Sequence, residues 1–373
     1  MDLFLFGTLQ HVPLLEAVSG DADVSSKMCK AVLSGYGVER VKGHVFPMLG
    51  TDADAEAEGV IVSDLDEAAF ARLDYYEKVF GYDRADFTVL DEHGATRRVT
   101  AYLPEEGRWT PAEAWDLAGW VAKFGNITTT LAAQEVLADM ASTTHVRMGQ
   151  NYSQVMARAA SRLRAQSEGS TGEMGRDDIQ VLQARNGYSG FFKVEEMDLT
   201  FKQFDGGVSD PVNRAVFVGV DCAIVLPYDP VRDRVLVVEQ FRPGAYYRGD
   251  LNPWTIEPIA GRIDPGEEPE QAATREAFEE AGVKLSALHN VSAAYPSPGT
   301  TSEYFFIYVG LCDLPDDAAG VGGLVSEAED IRSHIMDWKD FDRALNAGDF
   351  NLLPLLAAGH WLARNRDALR AAA

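Results

Sequence analysis

The chain has 373 residues, 46% of them hydrophobic, and a formal net charge of −25. That length predicts two domains rather than one core. So acidic a chain repels phosphate backbones, which argues against nucleic-acid partners, and no apolar run approaches the roughly 20 residues of a membrane span. Cys29, Cys222 and Cys312 lie far apart without C-x-x-C spacing, so neither a zinc site nor a disulfide framework is expected. The opening MDLFLFGTLQ carries an acid and reads as a strand rather than a leader, which fits a cytoplasmic protein.

In chain order, strand-like runs are expected at 3–5, 43–46, 59–62 and 99–103. Helices are expected at 22–34, 65–76 and 111–124, the last with Thr110 as N-cap and Pro111 in its first turn. Residues 127–165 read as helical throughout; the locally basic HVRMGQNYSQVMARAASRLRAQ reads as a solvated helix packing between domains. QSEGSTGEMGRDD, 166–178, is polar and Gly-rich and reads as a linker. The expected organisation is a first domain at 1–125, a helical connector and linker at 126–178, and a second domain at 179–373. The second is strand-rich to about Arg242, with runs at 222–227 and 235–240. A helix at 270–281, strands around 304–309 and closing helices at 339–346 and 353–365 follow.

Chemistry concentrates in GRIDPGEEPEQAATREAFEEAGV, 261–283. Glu276, Glu279 and Glu280 are spaced three and four apart, which places them on one helix face, where like charges repel. Divalent cations offset that repulsion, and all-oxygen donors suit Mg²⁺ or Mn²⁺. Alone, the cluster also fits a solvent-exposed acidic helix. The whole pattern does not: Gly261, Glu267, Arg275, Glu276, Glu279, Glu280, Gly282 and Val283, with small Ala277, match the Nudix box, G-x5-E-x7-R-E-U-x-E-E-x-G-U, at every defined position. The segment thus resembles a Nudix hydrolase. That resemblance implies an α/β/α sandwich, metal ligation by Glu276, Glu280 and the Ala260 carbonyl, and an Arg275 that holds a box carboxylate, Glu279.

Residues 187–337 are similar to bacterial ADP-ribose pyrophosphatases. CAIVLPYDPVRDRVLVVEQFR, 222–242, resembles the strand pair before the box in those enzymes. Pro298, in SPGTTSE, falls 16 positions after Gly282, where that subgroup carries a proline. SEAEDIRSH, 326–334, resembles an acidic loop that closes over substrate; the resemblance implies Glu327 as general base and Glu329 as a further metal contact. It also implies Arg214 and Arg242 on the substrate, Phe191 stacking on adenine, and a homodimer built through the strands before the box. The expected reaction is Mg²⁺-dependent hydrolysis of ADP-ribose to AMP and ribose 5-phosphate. Other nucleotide sugars, dinucleotides, or a non-catalytic ADP-ribose sensor are the alternatives.

At the other end, FLFGTLQ, 4–10, resembles the Y-G-[ST]-L signature of gamma-glutamylcyclotransferases, and LDYYEKVFGYDR, 73–84, resembles L-D-x-x-E-G followed by Y-x-R. The resemblance implies a β-barrel with helices, substrate cradled by the turn at Gly7, Thr8 and Leu9, and Glu77 as acid/base. Phe6 stands for the usual Tyr. Lys78 stands for the usual Gly, its charge opposing a raised Glu77 pKa. The fold class expected is therefore α/β (α+β) in two domains. Proteins joining two such halves resemble some associated with tellurite resistance, a phenotype without a mechanism.

Overall fold

The computed structural model describes residues 2–125, 128–167, 172–323 and 330–373. The chain divides into two compact units, Met1–Arg214 and Ala215–Ala373.

The first unit opens with β1 (Leu3–Leu5), β2 (Met28–Val41), β3 (Pro47–Val62), β4 (Tyr82–Asp91), β5 (Thr96–Pro104) and β6 (Pro111–Ala114), in the order β3-β1-β5-β4-β2-β6. Because β2 also pairs with β3, five strands close into a barrel and only β6 hangs on the rim. Alternation sorts the side chains. Phe4 points into the barrel with Leu33, Ile61 and Val99, while Leu3 and Leu5 face the helices outside. Gly59 is required where β3 crosses β1, since a Cβ there would overlap the Leu5 carbonyl and the Phe4 ring. Outside the barrel lie α1 (Val12–Ser19), α2 (Glu67–Val79), α3 (Leu117–Trp120), α4 (Thr128–Ala138), α5 (His145–Gln150) and α6 (Tyr152–Ser167). Asp66 caps α2 by accepting from Ala69 N at 2.7 Å. The buried face of α2, with Phe70, Leu73 and Tyr76, packs on Leu14, Ala133, Val136 and Val155 of neighbouring helices.

Several sequence expectations differ here. The helix expected at 22–34 is a short 3-10 turn, Val24–Lys27, and the start of β2. Ala31 and Leu33 are buried between more exposed neighbours, a period of two that a helix does not produce. Residues 43–46 form a turn; the strand begins at Pro47. Pro111 opens edge strand β6, where a missing N–H is tolerated, and the helix starts only at Leu117, capped by Asp116. The stretch 127–165 breaks into α4, α5 and α6, with Thr144 capping α5. Nor is its last helix solvated: Val155, Met156, Ala159 and even Arg158 are buried.

A three-stranded sheet follows, β7 (Ile179–Ser189), β8 (Lys193–Phe201) and β9 (Val212–Val218). Residues 179–214, which the sequence reading assigns to the second domain, are grouped with the first unit. Side chains explain the grouping: Ser189 Oγ donates to Asp139 at 2.6 Å, and Lys193 lies 3.9 Å from Glu135, which Arg158 grips at 2.7 Å.

The second unit carries β10 (Asp221–Asp229), β11 (Arg234–Phe241), β12 (Trp254–Glu257), β13 (Ile259–Arg262), β14 (Leu285–Ala294), β15 (Tyr304–Cys312), β16 (Val321–Gly322) and β17 (Ile331–Asp337) in one sheet. Its helices are α7 (Pro243–Arg248), α8 (Pro269–Ala281), α9 (Trp338–Ala347) and α10 (Leu353–Ala371). Both sheet faces are covered, so the central strands carry unbroken apolar runs, 222–228 in β10 and 235–238 in β11. Ala223, Val225, Leu236 and Val238 pack on Ala272, Ala273 and Ala277 of α8. The alternate positions, Ile224, Leu226, Val235 and Val237, pack on Phe341, Leu345, Leu355 and Leu362 of α9 and α10. This is the α/β/α sandwich. Among the described residues no helix is long and apolar enough to cross a membrane.

Phe341 is fully buried between Trp338 and Phe350, with ring centroids 5.7 and 5.2 Å away. Phe341→Ala is expected to destabilise the second unit by about 3–5 kcal/mol, read as a lower urea midpoint at unchanged slope.

Candidate active sites

The first site is built on α8. Its start is fixed by Glu268 N donating to Gln271 Oε1 at 3.0 Å, with Pro269 in the first turn. Its end is fixed by Gly282, left-handed at φ 66°, with Val283 N donating to Ala277 O at 3.0 Å. Three buried alanines let the helix lie close to β10 and β13. Gly261 on β13 completes the fit, because a Cβ there would overlap the Glu276 carboxyl group. Gly322 does the same at the Glu280 carbonyl.

Arg275 organises the carboxylates. It donates to Glu279 at 3.0 Å and, beyond that expected contact, to Glu276 at 2.6 Å. It also clasps Glu267 with two bonds, at 3.0 and 2.9 Å, and reaches the Arg262 carbonyl at 3.0 Å. Its pKa is pushed above the usual arginine range, chiefly by the hydrogen bond to Glu267 and in spite of burial. One guanidinium offsets one of four carboxylates. Glu280, only 3% exposed, adds negative charge at the buried edge. An excess of anionic oxygen donors on one helix face, with a close-packed glycine strand beneath, fits a divalent cation that prefers oxygen. Among the described residues no three acidic, His or Cys side chains gather closely enough to enclose an ion by themselves. Glu276 and Glu280 are carried by α8 and Ala260 by strand β13, on which α8 packs. Glu327 and Glu329 lie outside the described residues.

Arg242 forks onto Glu257 at 2.7 and 2.6 Å, and Thr255 donates to the same carboxylate, whose side chain is 2% exposed. Burial works against the Arg242 charge, yet Glu257 and the field of Glu280 hold its pKa above the usual value. Its Nη1 makes no hydrogen bond among the described residues. Pro298 is exposed in a turn closed by Thr300 N and Thr301 N donating to Ser297 O, each at 3.0 Å. Just beyond it, Glu303 escaped the sequence reading although it ends the same SPGTTSE run; burial raises its carboxyl pKa, and Gly219 leaves room for it. Arg214 and Phe191 belong to the first unit. Arg214 is exposed and donates to Asn213 O at 2.8 Å; Phe191 is 51% exposed and stands edge to face against Phe192 at 4.9 Å.

The second site is a small pocket in the first unit, partly open to solvent. It brings together Gly7, Thr8, Leu9 and Glu77, as the sequence suggested. The turn at 7–9 follows β1 directly, and Gly7 is needed because a Cβ would meet Pro47 Cγ at 2.7 Å. Asp74, three residues before Glu77 on α2, anchors the helix: Arg84 Nε donates to it at 2.6 Å and Tyr102 Oη at 2.7 Å. Tyr82 donates to Pro47 O at 2.9 Å. Tyr76 and Tyr152 hydrogen-bond each other. With its neighbours so engaged, the Glu77 carboxyl makes no hydrogen bond or ion pair among the described residues, and burial pushes it up to about 8. Lys78, expected to oppose that rise, is exposed and does not contribute. Trp120, Thr129 and Tyr152 also line the pocket; nothing in the sequence flagged them, since they reach it from helices far along the chain.

Residues 220–356 match the family model described as NUDIX domain, and residues 3–117 match Gamma-glutamyl cyclotransferase, AIG2-like. The chain is 36% identical over 196 residues to an ADP-ribose pyrophosphatase of Escherichia coli (strain K12), covering 52% of this chain and 93% of that protein. It is 37% identical over 161 residues to an ADP-ribose pyrophosphatase of Haemophilus influenzae, covering 43% of this chain and 74% of that protein. A solved structure described as an ADP compounds hydrolase shares 22% identity at a TM-score of 0.40, covering 50% of this chain and 96% of that one.

The Glu77 environment predicts a sign for stability against pH. Its carboxyl titrates near 4.5 when unfolded and about 8 when folded, so the folded state holds the proton longer. Stability is therefore fullest below 4.5 and falls as pH rises toward 8. Glu77→Gln should raise the melting temperature at pH 9 and change it little at pH 4.5; equal shifts at both would contradict the assignment.

Proposed function

The chain belongs to the Nudix family of hydrolases and carries an AIG2-like gamma-glutamyl cyclotransferase domain at its N-terminal end, and from this we propose that its second unit hydrolyses ADP-ribose to AMP and ribose 5-phosphate with Mg²⁺. The observation that carries the reading is the α8 cluster, with Arg275 bonded to Glu267, Glu276 and Glu279 beside buried Glu280. The relatives named ADP-ribose pyrophosphatase, matched over most of their length, support the choice of substrate. When bound, the divalent cation supplies polarisation of phosphoryl oxygens and a more acidic attacking water. The chain does the positioning. Arg275 fixes the carboxylates at one spacing, and Arg242, braced by Glu257, has Nη1 left to meet a phosphate oxygen. Glu327 as base and Glu329 as a further ligand remain part of the proposal by resemblance. Exposed apolar side chains on β7 and β8, among them Ile179, Val181 and Phe201, support a homodimer through these strands.

Glu280→Gln is expected to slow AMP release from ADP-ribose by on the order of 100-fold, roughly 2.7 kcal/mol in the barrier. Wild-type protein that releases AMP no faster than this variant in saturating Mg²⁺ would sink the reading and favour a non-catalytic sensor.

For the first unit we propose gamma-glutamylcyclotransferase activity. The motivating observation is a carboxyl raised to about 8 by burial, in a pocket shared with the turn at 7–9. A base poised near the working pH is what proton removal from an attacking amine needs. Glu77→Ala should abolish 5-oxoproline formation from γ-glutamyl amides while AMP release continues. In wild type the rate should climb with pH through about 8, as the carboxyl ionises. A γ-glutamyl panel without any 5-oxoproline would leave this unit as a scaffold.

A further inference from the structure

The pocket around Glu77 extends past the segment that matches the cyclotransferase family. That match ends at residue 117, yet Trp120, Thr129 and Tyr152 line the pocket from α3, α4 and α6. They are held in place. Tyr152 stands edge to face on Phe80, ring centroids 4.8 Å apart, and its hydroxyl pairs with Tyr76. Thr129 Oγ1 donates to Phe124 O at 2.7 Å. Trp120 is 6% exposed, and its buried indole N–H has no acceptor among the described residues. A buried donor without an acceptor is costly, and an oxygen on a bound ligand would satisfy it.

The lining is also uniform in charge. Among its described residues Glu77 is the one carboxylate, and there is no Lys, Arg or His. In the cyclotransferase reading, the turn at 7–9 holds the glutamyl head and Glu77 serves the reacting nitrogens. Phe46, Phe80, Trp120 and Tyr152 then remain for the other half of the substrate.

Resting on that reading, we propose that the α3–α6 wall holds the leaving amine and selects γ-glutamyl amides of uncharged aromatic or branched-alkyl amines. In the reaction the α-amine nitrogen attacks the side-chain amide carbonyl carbon, and the bond to the leaving nitrogen breaks. Glu77 accepts the proton from the attacking amine and returns one to the leaving nitrogen, giving 5-oxoproline and the free amine. A ring or branched chain on that amine is desolvated against the aromatic wall. A carboxylate there loses water without gaining a counter-charge, and an ammonium finds only Glu77, which is taken up by the reacting nitrogens.

The test is 5-oxoproline release by the full chain from five compounds: γ-glutamyl benzylamide, isobutylamide and methylamide, γ-glutamyl-ε-lysine and γ-glutamylglutamate. The benzyl and isobutyl amides should exceed both charged compounds by about tenfold or more in kcat/KM. Tyr152→Ala should lower the benzylamide-to-methylamide ratio of kcat/KM by about tenfold, mainly through KM. Tyr152→Phe, a milder change that keeps the ring, should hold the ratio. Charged compounds turned over as well as the neutral ones, including a lysine adduct favoured by the rings as a cation cage, overturn the proposal. So does a ratio indifferent to Tyr152→Ala. Both results leave the cyclotransferase reading intact, whereas no product from any of the five removes that reading and the proposal together. The wild-type panel decides the charge question even if Tyr152→Ala fails to fold.

Discussion

Everything in the second unit's site depends on Arg275. A helix carrying Glu276, Glu279 and Glu280 on one side is electrostatically self-opposed, and the opposition grows as water is excluded. Arg275 relieves it from within by bonding two of those carboxylates and Glu267 of the preceding turn. Its fork also takes the Arg262 carbonyl, so the same side chain ties the helix to strand β13. A lysine has a single ammonium and cannot bridge these acceptors in fixed directions. The guanidinium thus converts a repulsive cluster into a rigid anionic surface that still has charge to spare for a cation.

That surface is only as fixed as the sheet beneath it. Strands β10 and β11 bury alternate residues against α8 and against α9–α10, so neither face is free to slip by one register without exposing a core. The small side chains are concentrated on the α8 face, where Ala272, Ala273, Ala277 and Gly261 let helix and strand approach. The opposite face carries Phe341, Leu345 and Leu362. Bulk therefore anchors the sheet on one side while close approach aims the carboxylates on the other.

The parts of this protein legible in its sequence are those whose geometry is local. From Gly261 to Val283 every constraint lies within one loop and one helix, so fixed spacings carry it, and the bounds of α8 and α9 follow within a residue, whereas α10 runs on to Ala371, past the end expected at 365. Segments set by distant pairing are not legible in this way. Residues 28–34 look helical in isolation, but their pairing with β3 makes them a strand. Pro111 resembles a helix start until its edge position beside Val41 is known. The wall of the Glu77 pocket was illegible for the same reason: Trp120, Thr129 and Tyr152 come together only through the packing of α4 and α6 on the helices outside the barrel.

The two candidate sites use one side-chain type in opposite ways. On α8 a guanidinium bonds Glu267, Glu276 and Glu279 and fixes the directions of their oxygens. Beside the turn at 7–9 no cation among the described residues pairs with Glu77, the surrounding phenols are engaged elsewhere, and burial alone raises the carboxyl to about 8. The first environment suits a metal-dependent hydrolysis, where the carboxylate must never take the proton. The second suits proton transfer, where it must take and return one. The distinguishing feature is therefore the presence of an arginine within hydrogen-bond reach, and Arg84, the nearest guanidinium on the second-signature strand, is spent on Asp74 rather than on Glu77. By holding Asp74, Arg84 positions the helix that carries Glu77 without placing a charge on the carboxyl that has to stay protonatable.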